Sequence, residues 1–114
     1  MIRNGGRVTY EIKGETMVVH IGGEIDHHSA VSVRTAIDEE ITEQRPKRVL
    51  LELSSVDFMD SSGLGLIMGR LSLMNRYGGS LALLDPSAAV LKIVRLAGLE
   101  RMVAILKTKT KNEV

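Results

Sequence analysis

Asp57-Phe58-Met59-Asp60-Ser61-Ser62-Gly63-Leu64-Gly65 decides the reading of this chain, because it places two hydroxyls where a strand gives way to a helix. Before it, Val49, Leu50, Leu51, Glu52 and Leu53 form a short, mostly apolar run of the kind that a strand covered on both faces carries. After it, Leu64, Ile67, Met68, Leu71 and Met74 recur at steps of three and four, which gives a helix one apolar stripe to bury. Ser61 or Ser62 is thereby expected at the helix N-cap. The first N–H groups of a helix lack partners and its dipole is positive there, so a phosphate on either hydroxyl would meet favourable electrostatics.

Working outward, Val8, Tyr10 and Ile12 alternate with polar residues, Gly14 and Glu15 turn the chain, and Met17 to Ile21 return as a second strand, a β-hairpin pattern. Gly22 and Gly23 are expected to end it. Ser29 to Gln44 carries Ala30, Val33, Ile37 and Ile41 on one helical face, with Asp38, Glu39, Glu40 and Arg45 exposed, and stops before Pro46. The second helix should end at Gly78 and Gly79, where glycine takes the left-handed conformation. Leu81 to Leu84 reads as a fourth strand. Asp85, Pro86 and Ser87 open a third helix striped by Val90, Ile93, Val94 and Ala97, and Met102 to Leu106 reads as a fifth strand. Helices alternating with strands after a hairpin predict a single α/β domain over residues 1–107. Its mixed central sheet would have about five strands with three to four helices, followed by a polar, frayed tail over 108–114. Loops at the carboxyl ends of parallel strands collect function. The loop Gly23-Glu24-Ile25-Asp26-His27-His28 and the loop from Asp57 to Ser62 both leave such ends, which makes them expected neighbours.

The 114 residues suit one domain. Fifteen basic and fourteen acidic side chains nearly cancel to +1 and are dispersed, which argues against nucleic acid as a partner. The sequence has no cysteine, so disulfides, thiolate catalysis and cysteine metal sites are excluded. With no leader-like start and no apolar run near the ~20 residues that span a bilayer, a cytoplasmic protein without a membrane partner is expected.

Familiar catalytic patterns do not fit. The nucleophile elbow needs glycine two residues before and after the serine, and Met59 stands at the first of those places. Gly63, Gly65 and Gly69 do not have dinucleotide spacing. Glycines four apart on one helix face instead suggest a close approach by another element. His27 and His28 are adjacent and diverge, with no third ligand at metal spacing. Asp26 with Glu24, and Asp57 with Asp60, suit turn and cap chemistry. No catalytic residue, metal or cofactor is expected, and serine at such a junction serves either as a cap or as a regulatory site.

Phe58 to Gly65, together with Gly23-Glu24-Ile25-Asp26-His27-His28, resembles the sporulation anti-sigma factor antagonists, a subgroup of the STAS domain family. The likeness extends to Gly69, Arg70, Gly78, Gly79, Ala97, Gly98 and Leu99. The resemblance implies a non-enzymatic module whose unphosphorylated form binds an anti-sigma factor that is also an ATP-dependent serine kinase, so that the sigma factor is released. That kinase would inactivate it by phosphorylating Ser61, and a serine phosphatase would restore it. The implied docking patch comprises Met59, Asp60, Ser62, Gly63 and Leu64 with Asp26 and His27, and Ile93 and Arg95 as secondary contacts. Asp26 would orient the hydroxyl or approach the kinase's nucleotide. The rival readings are a stress-response antagonist acting on another anti-sigma factor and a small nucleotide-binding enzyme using Asp26, Ser61 and the glycines.

Overall fold

In the computed structural model, which describes residues 2, 3 and 6–108, six strands form one sheet in sequence order. The strands are β1 (Ile2–Arg3), β2 (Gly6–Lys13), β3 (Thr16–Ile25), β4 (Arg48–Met59), β5 (Ser80–Leu84) and β6 (Ala104–Leu106). The first three are antiparallel neighbours, and β3 to β6 run parallel. Helices α1 (His27–Gln44), α2 (Ser61–Arg76) and α3 (Ala88–Leu96) make the crossovers, with a 3-10 turn at Leu99–Arg101 before β6. The sheet is mixed, as expected, with β1 as an additional two-residue edge strand.

Alternation decides what each strand buries. Met17, Val19 and Ile21 of β3, Val49, Leu51 and Leu53 of β4, and Leu81 and Leu83 of β5 are buried in one cluster with Val33, Ile37 and Ile41 of α1, Leu66, Ile67 and Met74 of α2, and Val90 and Val94 of α3. Thr9, Glu11, His20 and Glu52 occupy the alternate positions, and all four keep solvent access. At roughly 1.5–3 kcal/mol per fully buried aliphatic side chain, this aliphatic cluster is the main favourable term in the fold.

The largest departure from the sequence reading is the length of β3 and β4. Gly22 and Gly23 do not end β3, which continues to Ile25, and Asp57 to Met59 belong to β4 rather than to a loop. The cause is a pair of β-bulges. His20 faces Glu52 but Gly22 faces Ser55, and Gly23 faces Val56 but Glu24 faces Phe58, so β4 carries one extra residue at each place. Its buried positions consequently run Val49, Leu51, Leu53, Val56, Met59, a period of two that stretches to three and erases the strand signature after Leu53. The Arg7 guanidinium, the movable end of an exposed side chain, lies where a Cβ on Gly22 would stand.

Smaller corrections have local causes. Helix α1 starts at His27, so both histidines are helical. Met68 is 44% exposed, and Leu66 takes its place in the core. Leu64 and Leu71 pack only partly against the cluster. Asp38 is half-buried, with Oδ1 2.8 Å from Nε of the buried Arg70. That contact is off-line for a hydrogen bond, so the pair attracts as charges across α1 and α2, while Arg70 Nη1 donates to the Leu66 carbonyl at 3.3 Å. Gly65 and Gly69 have open space where a Cβ would stand, so the expected close approach is absent there and occurs instead at Gly63, under the Met59 side chain. Gly78 does take the left-handed conformation, with φ 78°. Strand β6 starts at Ala104 rather than Met102. Thr108, expected to fray, is fastened: its N–H and hydroxyl donate to the two Asp85 carboxylate oxygens at 2.8 and 2.6 Å. The rest of the expected tail, 109–114, lies outside the described residues.

Candidate functional site

Parallel pairing brings the two suspected segments together. Ile25 and Met59 are register partners at the ends of β3 and β4, and the Asp60 N–H donates to the Ile25 carbonyl at 3.1 Å. Each strand then passes through one aspartate into a helix, so the positive ends of α1 and α2 emerge side by side.

Asp26 caps α1. Its carboxylate accepts from the N–H groups of His28 at 3.0 Å and Ser29 at 2.9 Å, and the Ser29 hydroxyl accepts from the Asp26 N–H at 2.9 Å while donating to the Glu24 carbonyl at 2.7 Å. This is a reciprocal capping box built with serine, and Ser29 is fully buried in it. The Ser29 N–H bond, helped by the Ser29 hydroxyl and the His28 N–H, outweighs desolvation and holds the Asp26 carboxyl below the usual carboxylate range. Asp60 caps α2 through a single N–H, that of Ser62 at 2.8 Å.

The expected cap at Ser61 or Ser62 is therefore corrected: Asp60 is the N-cap and Ser61 is the first helical residue. Ser61 is exposed, and its hydroxyl joins no hydrogen bond among the described residues. The Asp60 carboxylate brings charge as well as acceptor oxygens to the positive end of the helix dipole. The consequence is a serine left over at the positive end of a sixteen-residue helix.

The other expected site residues fall in different settings. His27 and Ser62 line a shallow cleft of about 300 Å³ between α1 and α2, with Ala30, Val31, Arg34, Gly65 and Leu66. Met59 and Gly63 are buried beneath this surface, Met59 at 6% exposure, so their side of the patch is a foundation rather than a face. Leu64 is half-buried against the core. Ile93 lies away from Asp26 and His27, in a second groove formed with Phe58, Met59, Ala89, Lys92 and Leu96. Arg95 is exposed, as are Asp57 and His28. The His27 and His28 rings meet edge-on at 5.9 Å, and no group of three or more potential metal ligands occurs among the described residues.

Sequence reasoning missed Ser29, Arg34, Val31 and Gly65. Ser29 had a readable signal, since Asp26 followed three residues later by a polar partner marks a helix start. The cleft residues had none, because their meeting depends on how α1 and α2 pack.

Three comparisons bear on this arrangement. A STAS domain model matches residues 7–114. The chain is 38% identical over 89 residues to an anti-sigma F factor antagonist of Paenibacillus polymyxa, covering 78% of this chain and 76% of that one. It is 32% identical over 87 residues to the anti-sigma-B factor antagonist of Bacillus subtilis, covering 76% and 78%. Among solved structures, the unphosphorylated anti-sigma factor antagonist SpoIIAA superimposes with a TM-score of 0.77 at 29% identity, covering 92% of this chain and 90% of that one. The phosphorylated form of the Bacillus cell fate determinant SpoIIAA does so with a TM-score of 0.71 at 28% identity, covering 92% and 94%. With the strand order, the twin helix entrances and a domain match over nearly its whole length in agreement, the chain belongs to the STAS domain family.

Proposed function

We propose that this protein is an anti-sigma factor antagonist whose free form binds an anti-sigma factor with serine kinase activity, and that phosphorylation of Ser61 by that kinase ends the binding. The observation that carries the reading is the exposed, unengaged Ser61 hydroxyl at the entrance of α2. Two further facts support it: relatives described as antagonists of anti-sigma factors, and a similar fold known in both unphosphorylated and phosphorylated forms. In this reading the chain is a binding module and kinase substrate rather than an enzyme, works in the cytoplasm, and is reset by a serine phosphatase. No helix of the described residues is long and apolar enough to cross a membrane.

The physical argument is local. A phosphate adds about 1.5 to 2 negative charges. On Ser61 it would face the positive end of α2 and also the carboxylates of Asp26 and Asp60, which already cap the two helices. The domain tolerates that charge at its rim, whereas a partner pressed against the rim would have to desolvate it. About 3 kcal/mol of discrimination suffices for more than a hundredfold loss of affinity. Asp26, His27, Ser62 and Leu64 would form the docking face around Ser61, Asp60, Met59 and Gly63 would fix its shape, and Ile93 would extend the contact along α3.

The test is to mix the protein with the candidate anti-sigma kinase, with and without ATP, and to measure binding by calorimetry and modification by mass spectrometry. Ser61→Ala should bind and accept no phosphate, and Ser61→Asp should bind more than about a hundredfold more weakly. Phosphate appearing on Ser62 alone, or equal binding by both variants, would refute the assignment. Likeness to the anti-sigma-B factor antagonist favours a second reading with a different anti-sigma factor as partner. Parallel titrations with both classes of anti-sigma factor decide between them.

A further inference from the structure

The positions alternating with the core carry a cluster that the docking site does not use. His20 lies at the first β4 bulge. Its Nδ1 is 2.9 Å from Glu52 Oε1, and its Nε2 is 2.9 Å from Glu11 Oε1. Glu11, His20 and Glu52 belong to β2, β3 and β4, so one imidazole spans three strands. The other Glu52 oxygen accepts from the Ser54 N–H at 2.8 Å, within the bulge itself.

Proton arithmetic restricts the ring. A neutral imidazole has one N–H and one lone pair, so it can donate to one carboxylate only, and its lone pair would then face the other at the same short distance. Two donors are needed, and only the imidazolium has them. We propose that His20, carried as an imidazolium, is a proton-dependent clasp that fastens the β2–β3 hairpin to the bulge in β4.

The surrounding charges agree. From β2, Glu11 pairs with Lys13 at 3.6 Å, and Arg7 with Thr9 lines the same cleft of about 130 Å³. From β4, Glu52 is joined by Ser54 and Ser55. No ionisable group of a helix contacts His20 among the described residues. Hydrogen bonds to Glu11 and then Glu52 raise the His20 pKa above its ordinary value, against a smaller opposing effect of burial. The bond to His20 lowers Glu11. Burial pushes Glu52 up, but its bonds to Ser54 and His20 outweigh that and bring it below its usual range.

The direction of the pH effect follows by linkage. Because the folded pKa of His20 is raised, its contribution is complete below the ordinary histidine value of about 6.5 and is lost as pH rises through the folded value. The two lowered carboxylates set the acid limit, since their contributions are present above their ordinary range and are lost as pH falls through their folded values.

The experiment is an NMR titration of the imidazole nitrogens in the full chain, with amide hydrogen exchange of His20 and of residues 52–56 along the same pH series. Both His20 nitrogens should stay protonated above the ordinary histidine range. Glu52→Gln and the exposed-site variant Glu11→Gln should each move the His20 titration down. Exchange at the bulge, corrected for intrinsic rates, should accelerate as His20 deprotonates, and this acceleration should be missing in His20→Gln. A His20 that titrates at or below about 6.5, or whose titration neither glutamine variant moves, overturns the proposal.

Discussion

The entrances of α1 and α2 are built on one plan and finished differently. Both follow a parallel strand, both are capped by an aspartate with extended backbone, and they are tied together by the Asp60–Ile25 hydrogen bond. At α1 the nearby serine, Ser29, turns inward, is fully buried and closes a reciprocal box with Asp26. At α2 the serine directly after the cap, Ser61, is exposed and its hydroxyl has no hydrogen-bond partner among the described residues. Hydroxyls within one turn of a helix start are thus sorted by position: the third helical residue reaches back to the cap, and the first cannot. A stabilising serine and a modifiable serine can therefore share one surface.

This contrast is most strongly tested by the two serines themselves. Ser29→Ala leaves the half-buried Asp26 N–H and the Glu24 carbonyl without their partner and should cost about 1–3 kcal/mol. Ser61→Ala removes nothing the fold uses and should stay within about 0.5 kcal/mol, both read from urea unfolding midpoints. Equal effects would erase the distinction. The glycines sharpen it next. Gly63→Ala drives a methyl into the Met59 side chain beneath α2 and should destabilise by about 1–3 kcal/mol, the usual cost of overpacking. Gly65→Ala adds a methyl in open space and should stabilise the helix by up to about 1 kcal/mol, while narrowing the cleft where a partner would rest. The smallest effect concerns acid. Because Asp26 titrates below its ordinary value, its contribution to stability is present above the unfolded pKa and is lost as pH falls through the folded one. Below about pH 4, Asp26→Asn should lose less stability with falling pH than the unaltered chain, in melts followed by circular dichroism.

How much of this was legible in the sequence depended on whether a local rule decided it. The apolar steps at Val33, Ile37 and Ile41 identified α1 and its buried face, and Gly78 marked the end of α2, because helical period and left-handed glycine are properties of a few neighbouring residues. The loop read from Asp57 to Ser62 took in the last three residues of β4, Asp57 to Met59, because two bulges destroy the alternation by which a strand is recognised, and bulges belong to a pair of strands. The serine pair correctly announced a helix entrance, yet the cap went to Asp60, one residue before Ser61, because aspartate and serine serve about equally well there and a local pattern cannot choose between adjacent candidates. Arg70 entered the sequence reading only through the family likeness. Only the packing of α1 on α2 supplies Asp38 opposite it.

That Arg70–Asp38 contact constrains how the sequence can drift. Removing Asp38 alone leaves the buried Arg70 guanidinium without its opposing charge, whereas Asp38, 36% exposed, keeps water if Arg70 is lost. Natural variants lacking Asp38 should therefore lack Arg70 as well, and an intermediate that kept only Arg70 would be a poor ancestor.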